Sequence, residues 1–175
     1  LDYNLKHSIG KLHGFFGNIG VVVKAYVYVK MLGTAGLREA SRMACLNANY
    51  LQKKLRKKYH LEYDRLCKHE FVLSGAKFKK YGIRTLDIAK RMLDYGVHAP
   101  TVYFPLIVDE ALMIEPTETE SKQTLDEFVE IMTAIADEAR RNPDLLHEAP
   151  MTTPVSRLDE AAAVKEPNLV YKGDL

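Results

Sequence analysis

Three short stretches of this chain carry side chains that could do chemistry. His98 stands in GVHAPT, between the helix-stopping Gly96 and Pro100. A neutral imidazole in such a loop can hydrogen-bond a carboxylate or a backbone carbonyl. The same bond could equally serve only to pin the turn. Thr117 and Glu118 stand in EPTETE, a polar turn with its φ fixed by Pro116. They could line the mouth of a site or meet another subunit. Acidic residues near a helix N-terminus also account for them without any site. Gly17 and Asn18 stand in GFFGNIG. Glycines let a backbone come close to an anion, and N–H groups at a helix start attract it. Asn18 adds a side-chain donor. These glycines could instead only shape a turn. His7, His13 and His69 have no comparable context.

The surrounding sequence says which elements must hold these stretches. Thr85 is expected to cap a helix with Leu86, Ala89, Met92 and Leu93 on one face, stopped by Gly96. Val102-Tyr103-Phe104 and Ala111-Leu112-Met113-Ile114 read as short buried strands. Ser121 or Thr124 caps a helix to Arg141, with Leu125, Phe128, Val129, Met132, Ile135 and Ala136 inside, and Asn142-Pro143 ends it. Upstream, IGVVVKAYVYVKML predicts a buried helix ended by Gly33, although its β-branched content would also suit a strand. Thr34 then caps a helix to about Lys58, with Leu37, Ala40, Ala44, Ala48, Leu51 and Leu55 as its stripe. Glu70–Ser74 reads as a strand and Lys77–Tyr81 as a basic, exposed connection. From Leu145 the chain reads as a proline-bearing tail with one helical piece, Leu158–Val164. The implied divisions are 1–33, 34–144 and 145–175, the last packing on the surface.

Bulk properties narrow the function. The 175 residues allow one domain with a real core. A hydrophobic fraction of 47% with 27% charged residues is ordinary for a soluble globular protein. A net charge of +2 calls for neither nucleic acid nor an anionic membrane. The basic end of the long helix, Lys53-Lys54 and Arg56-Lys57-Lys58, complements a helix C-terminus. Cys45 and Cys67 form no metal-ligand spacing and suit a reducing compartment, with Cys45 read as a small core residue. Ile19–Leu32 is interrupted by Lys24 and Lys30 and is too short to span a bilayer. The start lacks an initiator Met and a signal-peptide pattern, so we expect a fragment.

The wording of the chain also resembles a family. NANYL, HEFVLS, GVHAPT and MIEPTE occur in that order, with SIGKLHGFFGNIGVVVKAYVYVKMLG before them and TPVSRLDEAAAVKEPNLVYK after. Together they are similar to the C-terminal part of the pyridoxal-phosphate-dependent glycine dehydrogenase (decarboxylating) family. This is the P-protein of the glycine cleavage system, here in the form split into two subunits, of which the chain resembles the second. The resemblance implies an α+β fold: the C-terminal small domain of a fold-type I enzyme. A small, mainly antiparallel sheet would be packed by helices and preceded by a long helical segment. It implies that Gly17 and Asn18 contact the phosphate of pyridoxal phosphate, and that His98, Thr117 and Glu118 form an active-site rim. Arg84 joins the rim because small-domain arginines in this fold type often hold a substrate carboxylate, although a carboxylate that must leave as carbon dioxide argues against a tight clamp.

The family's cofactor lysine is expected upstream of Leu1, since Lys6, Lys11 and Lys24 lack its His-Lys context. The chain alone should therefore neither bind the cofactor covalently nor be active. The implied activity is decarboxylation of glycine, with transfer of the aminomethyl group to the lipoyl arm of H-protein. The implied partners are the upstream lysine-bearing domain and the first subunit, in a heterotetramer, with no nucleic acid and no membrane. The implied compartment is the cytoplasm. Two alternatives are the small domain of another fold-type I enzyme, a cysteine desulfurase or aminotransferase relative, and a non-catalytic interaction domain.

Overall fold

The computed structural model of the chain describes residues 5–10, 14 and 17–170. The expectations for Lys11, His13, the middle of the glycine-rich loop and the last five residues of the tail lie outside the described residues. Two compact units divide between Glu39 and Ala40.

In the N-terminal unit, helix α1 begins at Ile19, and the Asn18 carbonyl accepts from the N–H groups of Val21 and Val22. α1 is one helical run, Ile19–Leu55, broken at Gly33, which takes φ 60 and ψ −175. That left-handed φ is open to glycine and strained for a β-carbon-bearing residue. The helix expected over residues 19–32 therefore forms, but it is not buried in this chain. Val21, Val22, Val23, Tyr26 and Met31 are all exposed. By length and composition α1 could cross a membrane. Lys24, Lys30 and the break at Gly33 limit the apolar stretch to Ile19–Leu32, short of the roughly 20 residues a bilayer core needs.

In the second unit α1 continues to Leu55 and buries Ala48, Leu51 and Leu55. Leu37, Ala40 and Ala44, expected on the same stripe, are only half-buried. Three short strands follow: β1 (Phe71–Ser74), β2 (Thr101–Val102) and β3 (Ala111–Ile114). They form one antiparallel sheet in the order β1-β3-β2. Phe71 faces Ile114 in register and Leu73 faces Leu112, while Thr101 faces Met113. β3 is central, so Ala111, Leu112 and Ile114 are buried. Helices α2 (Thr85–Asp94), α3 (Lys122–Arg141) and α4 (Asp144–Glu148) pack against one another. Their Ile88, Met92, Met132, Ile135 and Leu146 join Leu73 and Leu112 in one core. The short helix α5 (Glu160–Lys165) is exposed throughout.

Several expectations are corrected by this packing. Thr85 does not cap α2. Arg84 is the cap residue, its N–H donating to Asp87 Oδ2 at 2.8 Å, and the Thr85 hydroxyl donates instead to the Glu110 carbonyl at 2.7 Å. The inner face of α2 is Thr85, Ile88, Ala89 and Met92, with Leu86 and Leu93 half-buried. The strand expected over Val102-Tyr103-Phe104 stops at Val102. Tyr103 turns to φ 60, and both aromatic rings are exposed. Lys77–Tyr81 is not a plain exposed connection. It lies in a 3-10 helix, Ala76–Tyr81, anchored by the buried Phe78. Phe78 meets the Tyr59 ring edge-on at 5.4 Å, and the Tyr59 hydroxyl donates to the Met132 carbonyl at 2.9 Å. The core also runs past residue 144, because Leu146 and Ala149 are fully buried.

The tail beyond them is tied down. Asp94 Oδ1 accepts from the N–H groups of Met151 and Thr152 at 2.6 and 2.8 Å. Arg157 donates to the carbonyls of Ala149 and Leu146 and pairs with Asp87 at 2.7 Å.

Candidate functional site

A cleft of about 660 Å³ opens where α2 hands over to β2. α2 ends there for a local reason. Gly96 takes φ 73, its N–H donates to the Leu93 carbonyl at 2.9 Å, and the Val97 N–H donates to the Met92 carbonyl at 3.1 Å. This pair of bonds closes the helix and satisfies its last carbonyls. It delivers His98 to the cleft edge as an exposed side chain, with Ala99, Pro100 and Thr101 continuing the wall. The opposite wall is the end of β3 with Glu115 and Pro116, then Glu120, Thr124 and Glu127 before and along α3. Leu51, Val97, Ile114, Leu125, Phe128 and Ile131 give the floor its apolar character. The result is an apolar trough with carboxylates on one wall and a single imidazole on the other. Such a site can take a small ligand with an apolar stem, and His98 can donate to it or accept from it.

Ser121 supports that wall as expected, its Oγ accepting from the Thr124 N–H at 3.1 Å at the start of α3. Thr117 and Glu118 belong to the same turn, but the lining residues are their neighbours Glu115, Pro116 and Glu120. The Thr117 hydroxyl is bonded to that of Thr119 at 2.7 Å. What positions this turn is a residue that pattern reading passed over. Asn47 is buried on α1, and its Nδ2 donates to the carbonyls of Thr117 at 2.9 Å and Glu120 at 3.4 Å. Its neighbours act alike. Asn49 Nδ2 donates to the carbonyls of Cys45 and Cys67 at 2.7 Å, and Gln52 Nε2 to that of Arg65 at 3.1 Å. Polar residues beside Ala48 and Leu51 on a helix that otherwise buries apolar groups are the signal that could have found them. Cys45 and Cys67 are half-buried free thiols, and burial pushes the Cys67 thiol up from its ordinary value.

Arg84 stands at the N-terminal end of α2, a ten-residue helix about 15 Å long, and His98 follows its C-terminal end. Its side chain is exposed, lies 6.0 Å from the Tyr103 ring centroid, and approaches Glu110 at 3.4 Å. Glu110 is the second residue that pattern reading missed. It is buried, takes φ 50, and its carboxylate accepts from the Thr85 N–H at 2.7 Å while its carbonyl accepts from Gly75 and Thr85. The structure thus brings His98 and the EPTETE turn to one cleft and leaves Arg84 outside it.

In the N-terminal unit Gly17 takes φ 106, with nothing within 4 Å of where a β-carbon would stand, and Asn18 is exposed beside it. An open, left-handed glycine before a helix start fits close approach of a phosphate to backbone N–H groups. Among the described residues no group of three His, Cys, Asp or Glu is placed to hold a metal ion.

The second unit is therefore a small α+β domain, a three-stranded antiparallel sheet covered by helices, with an apolar cleft at a helix-to-strand junction. Comparison with known proteins gives this class its family. Residues 40–152 match the family described as glycine dehydrogenase, C-terminal domain, and the chain belongs to that family. It is 60% identical over 173 residues to the probable glycine dehydrogenase (decarboxylating) subunit 2 of Fervidobacterium nodosum, and 56% identical over 172 residues to that of Halalkalibacterium halodurans. These alignments cover 98% of this chain but only 36% and 35% of the relatives, so the chain spans about a third of their length. The fold matches the crystal structure of an inhibitor-bound glycine decarboxylase (P-protein) of the glycine cleavage system. The TM-score is 0.60 at 17% identity, over 70% of this chain and 28% of that one. At that identity the likeness speaks for the fold alone.

Proposed function

We propose that this chain is the C-terminal part of the second subunit of a cytoplasmic glycine dehydrogenase (decarboxylating). The observation that carries the reading is the 60% identity to a subunit of that name, sustained over 98% of the chain. In the complete enzyme, pyridoxal phosphate supplies an electron sink for the pair left behind when glycine loses carbon dioxide. The lysine that holds it belongs to the upstream domain. The chain's own contribution is binding and positioning. Gly17 and Asn18 offer backbone and side-chain donors to the cofactor phosphate. His98 hydrogen-bonds a polar group of the substrate or of the incoming lipoyl arm at the cleft edge. The Thr117-Glu118 turn, held by Asn47, sets the other wall. Arg84 lies at the other end of α2 from the cleft, with its Nε near Glu110, and we give it no clamp role.

The partners are the upstream domain, the first subunit in a heterotetramer, and lipoylated H-protein. The apolar floor of the cleft suits the hydrocarbon stem of a lipoyl group. Mixing this chain with the upstream part and the first subunit tests the reading, by glycine-dependent bicarbonate exchange with lipoylated H-protein. Exchange that depends on this chain is expected. Assembly without exchange would make it an interaction domain instead.

A further inference from the structure

We propose that a second cleft, between the ends of α1 and α3 and the 3-10 helix, binds a compact, multiply charged phosphate ligand of the diphosphate class. The cleft holds about 340 Å³. Lys57 and Lys58 enter it from the turn after α1, Lys77 and Lys80 from the 3-10 helix, and Arg140 from the last turn of α3. Five cations from three elements thus meet around one carboxylate, Asp137.

Asp137 is already engaged. Lys58 bonds it at 3.0 Å, and Arg140 bonds it too. These two cations also complement helix C-termini, so local structure accounts for them. Lys57, Lys77 and Lys80 are different, with no carboxylate partner among the described residues. Side chains three apart on a 3-10 helix eclipse, which sets Lys77 and Lys80 on one side. Lys79 between them turns away to Asp109 at 2.8 Å. Two like charges held on one side repel each other. Lys77 lies 5.2 Å from the Phe78 centroid and 5.9 Å from that of Tyr59, and Lys80 lies 4.9 Å from that of Tyr81. Their stems are therefore braced on aromatic rings rather than swinging in solvent. Burial, with Arg140, Lys58 and Lys80 nearby, holds the Lys77 ammonium below its ordinary pKa. An anion seated among these groups would relieve that cost.

The shape favours a small ligand over an acidic protein face. The cleft is concave, and its volume falls at the low end of the roughly 300–1,000 Å³ typical of small-molecule sites. A phosphate also offers several acceptor oxygens to cations that approach from different sides. The proposal does not depend on the glycine dehydrogenase reading.

Calorimetric titration with inorganic pyrophosphate at about 150 mM salt, where long-range attraction is screened, tests it on the full 175-residue chain. Saturable 1:1 binding is expected, weakened at least tenfold by the double substitution Lys77→Gln/Lys80→Gln and unchanged by Lys53→Gln, which removes a cation outside the cleft. Amide chemical-shift changes on the unmodified chain give a readout that needs no variant, and they should concentrate at 77–81 and 137–140. Binding that does not saturate, that falls equally with Lys53→Gln, or that moves amides elsewhere would overturn the site. So would binding of a glutamate-rich peptide with none of pyrophosphate.

Discussion

His98 is exposed and its ring makes no hydrogen bond among the described residues, so its removal separates function from stability. His98→Ala should move unfolding free energy by less than about 0.5 kcal/mol, as surface changes do. The same change should lower exchange activity of the reconstituted enzyme at least tenfold, measured beside a urea titration of the chain. Asn47 is the converse case. Asn47→Ala removes the amide donor shared by the part-buried carbonyls of Thr117 and Glu120, leaving Thr117 only the Glu120 N–H at 3.3 Å. A loss of about 1–3 kcal/mol is expected from denaturant unfolding, because unmade buried bonds cost more than made ones contribute. If the EPTETE turn shapes the site, activity of the surviving folded fraction should fall too.

At the scale of elements, α1 carries the clearest consequence. Val22 and Val29 lie two turns apart on its N-terminal part and are 56% and 48% exposed, among neighbours of the same character. An apolar face of that length on a lone chain drives association. Sedimentation should show mass rising with concentration, and Val22→Glu/Val29→Glu should return the chain to a monomer. A wild-type chain that stays monomeric at high concentration would contradict this. The end of α2 offers a smaller test. Gly96→Ala keeps the helix but forces a β-carbon into φ 73, at a cost of about 1–2 kcal/mol by thermal or urea unfolding.

Over the whole molecule, one ionic network links α2, α3 and the tail. Arg91 donates to both oxygens of Glu138 at 2.9 and 3.0 Å and to Asp94 at 3.2 Å, and the Tyr95 hydroxyl donates to Glu138 at 2.6 Å. Burial alone would raise the Asp94 carboxyl, but the N–H groups of Thr152 and Met151, the Thr152 hydroxyl and Arg91 outweigh it and hold it low. Burial is likewise outweighed at Glu138 by Arg91 and Tyr95. Both groups are thus depressed in the folded state, so the unfolded chain binds protons more readily as pH falls. Their contribution is complete at neutral pH, begins to fade in the ordinary carboxylate range, and is gone below the depressed folded values. Urea unfolding repeated from pH 7 down to pH 3 should show that decline. Asp94→Asn should flatten it, and should also open the 151–158 segment to limited proteolysis.

Elements with local causes can be read directly from the residues. Gly96 and Gly33 stop or break helices because only glycine takes their φ easily. Ser121 caps α3 through its own oxygen, and the spacing of Leu125, Met132, Ile135 and Ala136 marks the buried face. The family was legible as well, because several specific motifs stand in one order along nearly the whole chain. Relations between distant residues emerge only in the folded chain. Asn47 holding the 117–120 turn, Glu110 taking the Thr85 bonds that a cap would have used, and the convergence of Lys57, Lys77 and Lys80 join positions tens of residues apart. Periodicity along a chain carries no record of which loop a buried amide will meet. Hydrogen-bond satisfaction and charge convergence are settled only when the core has set the distances.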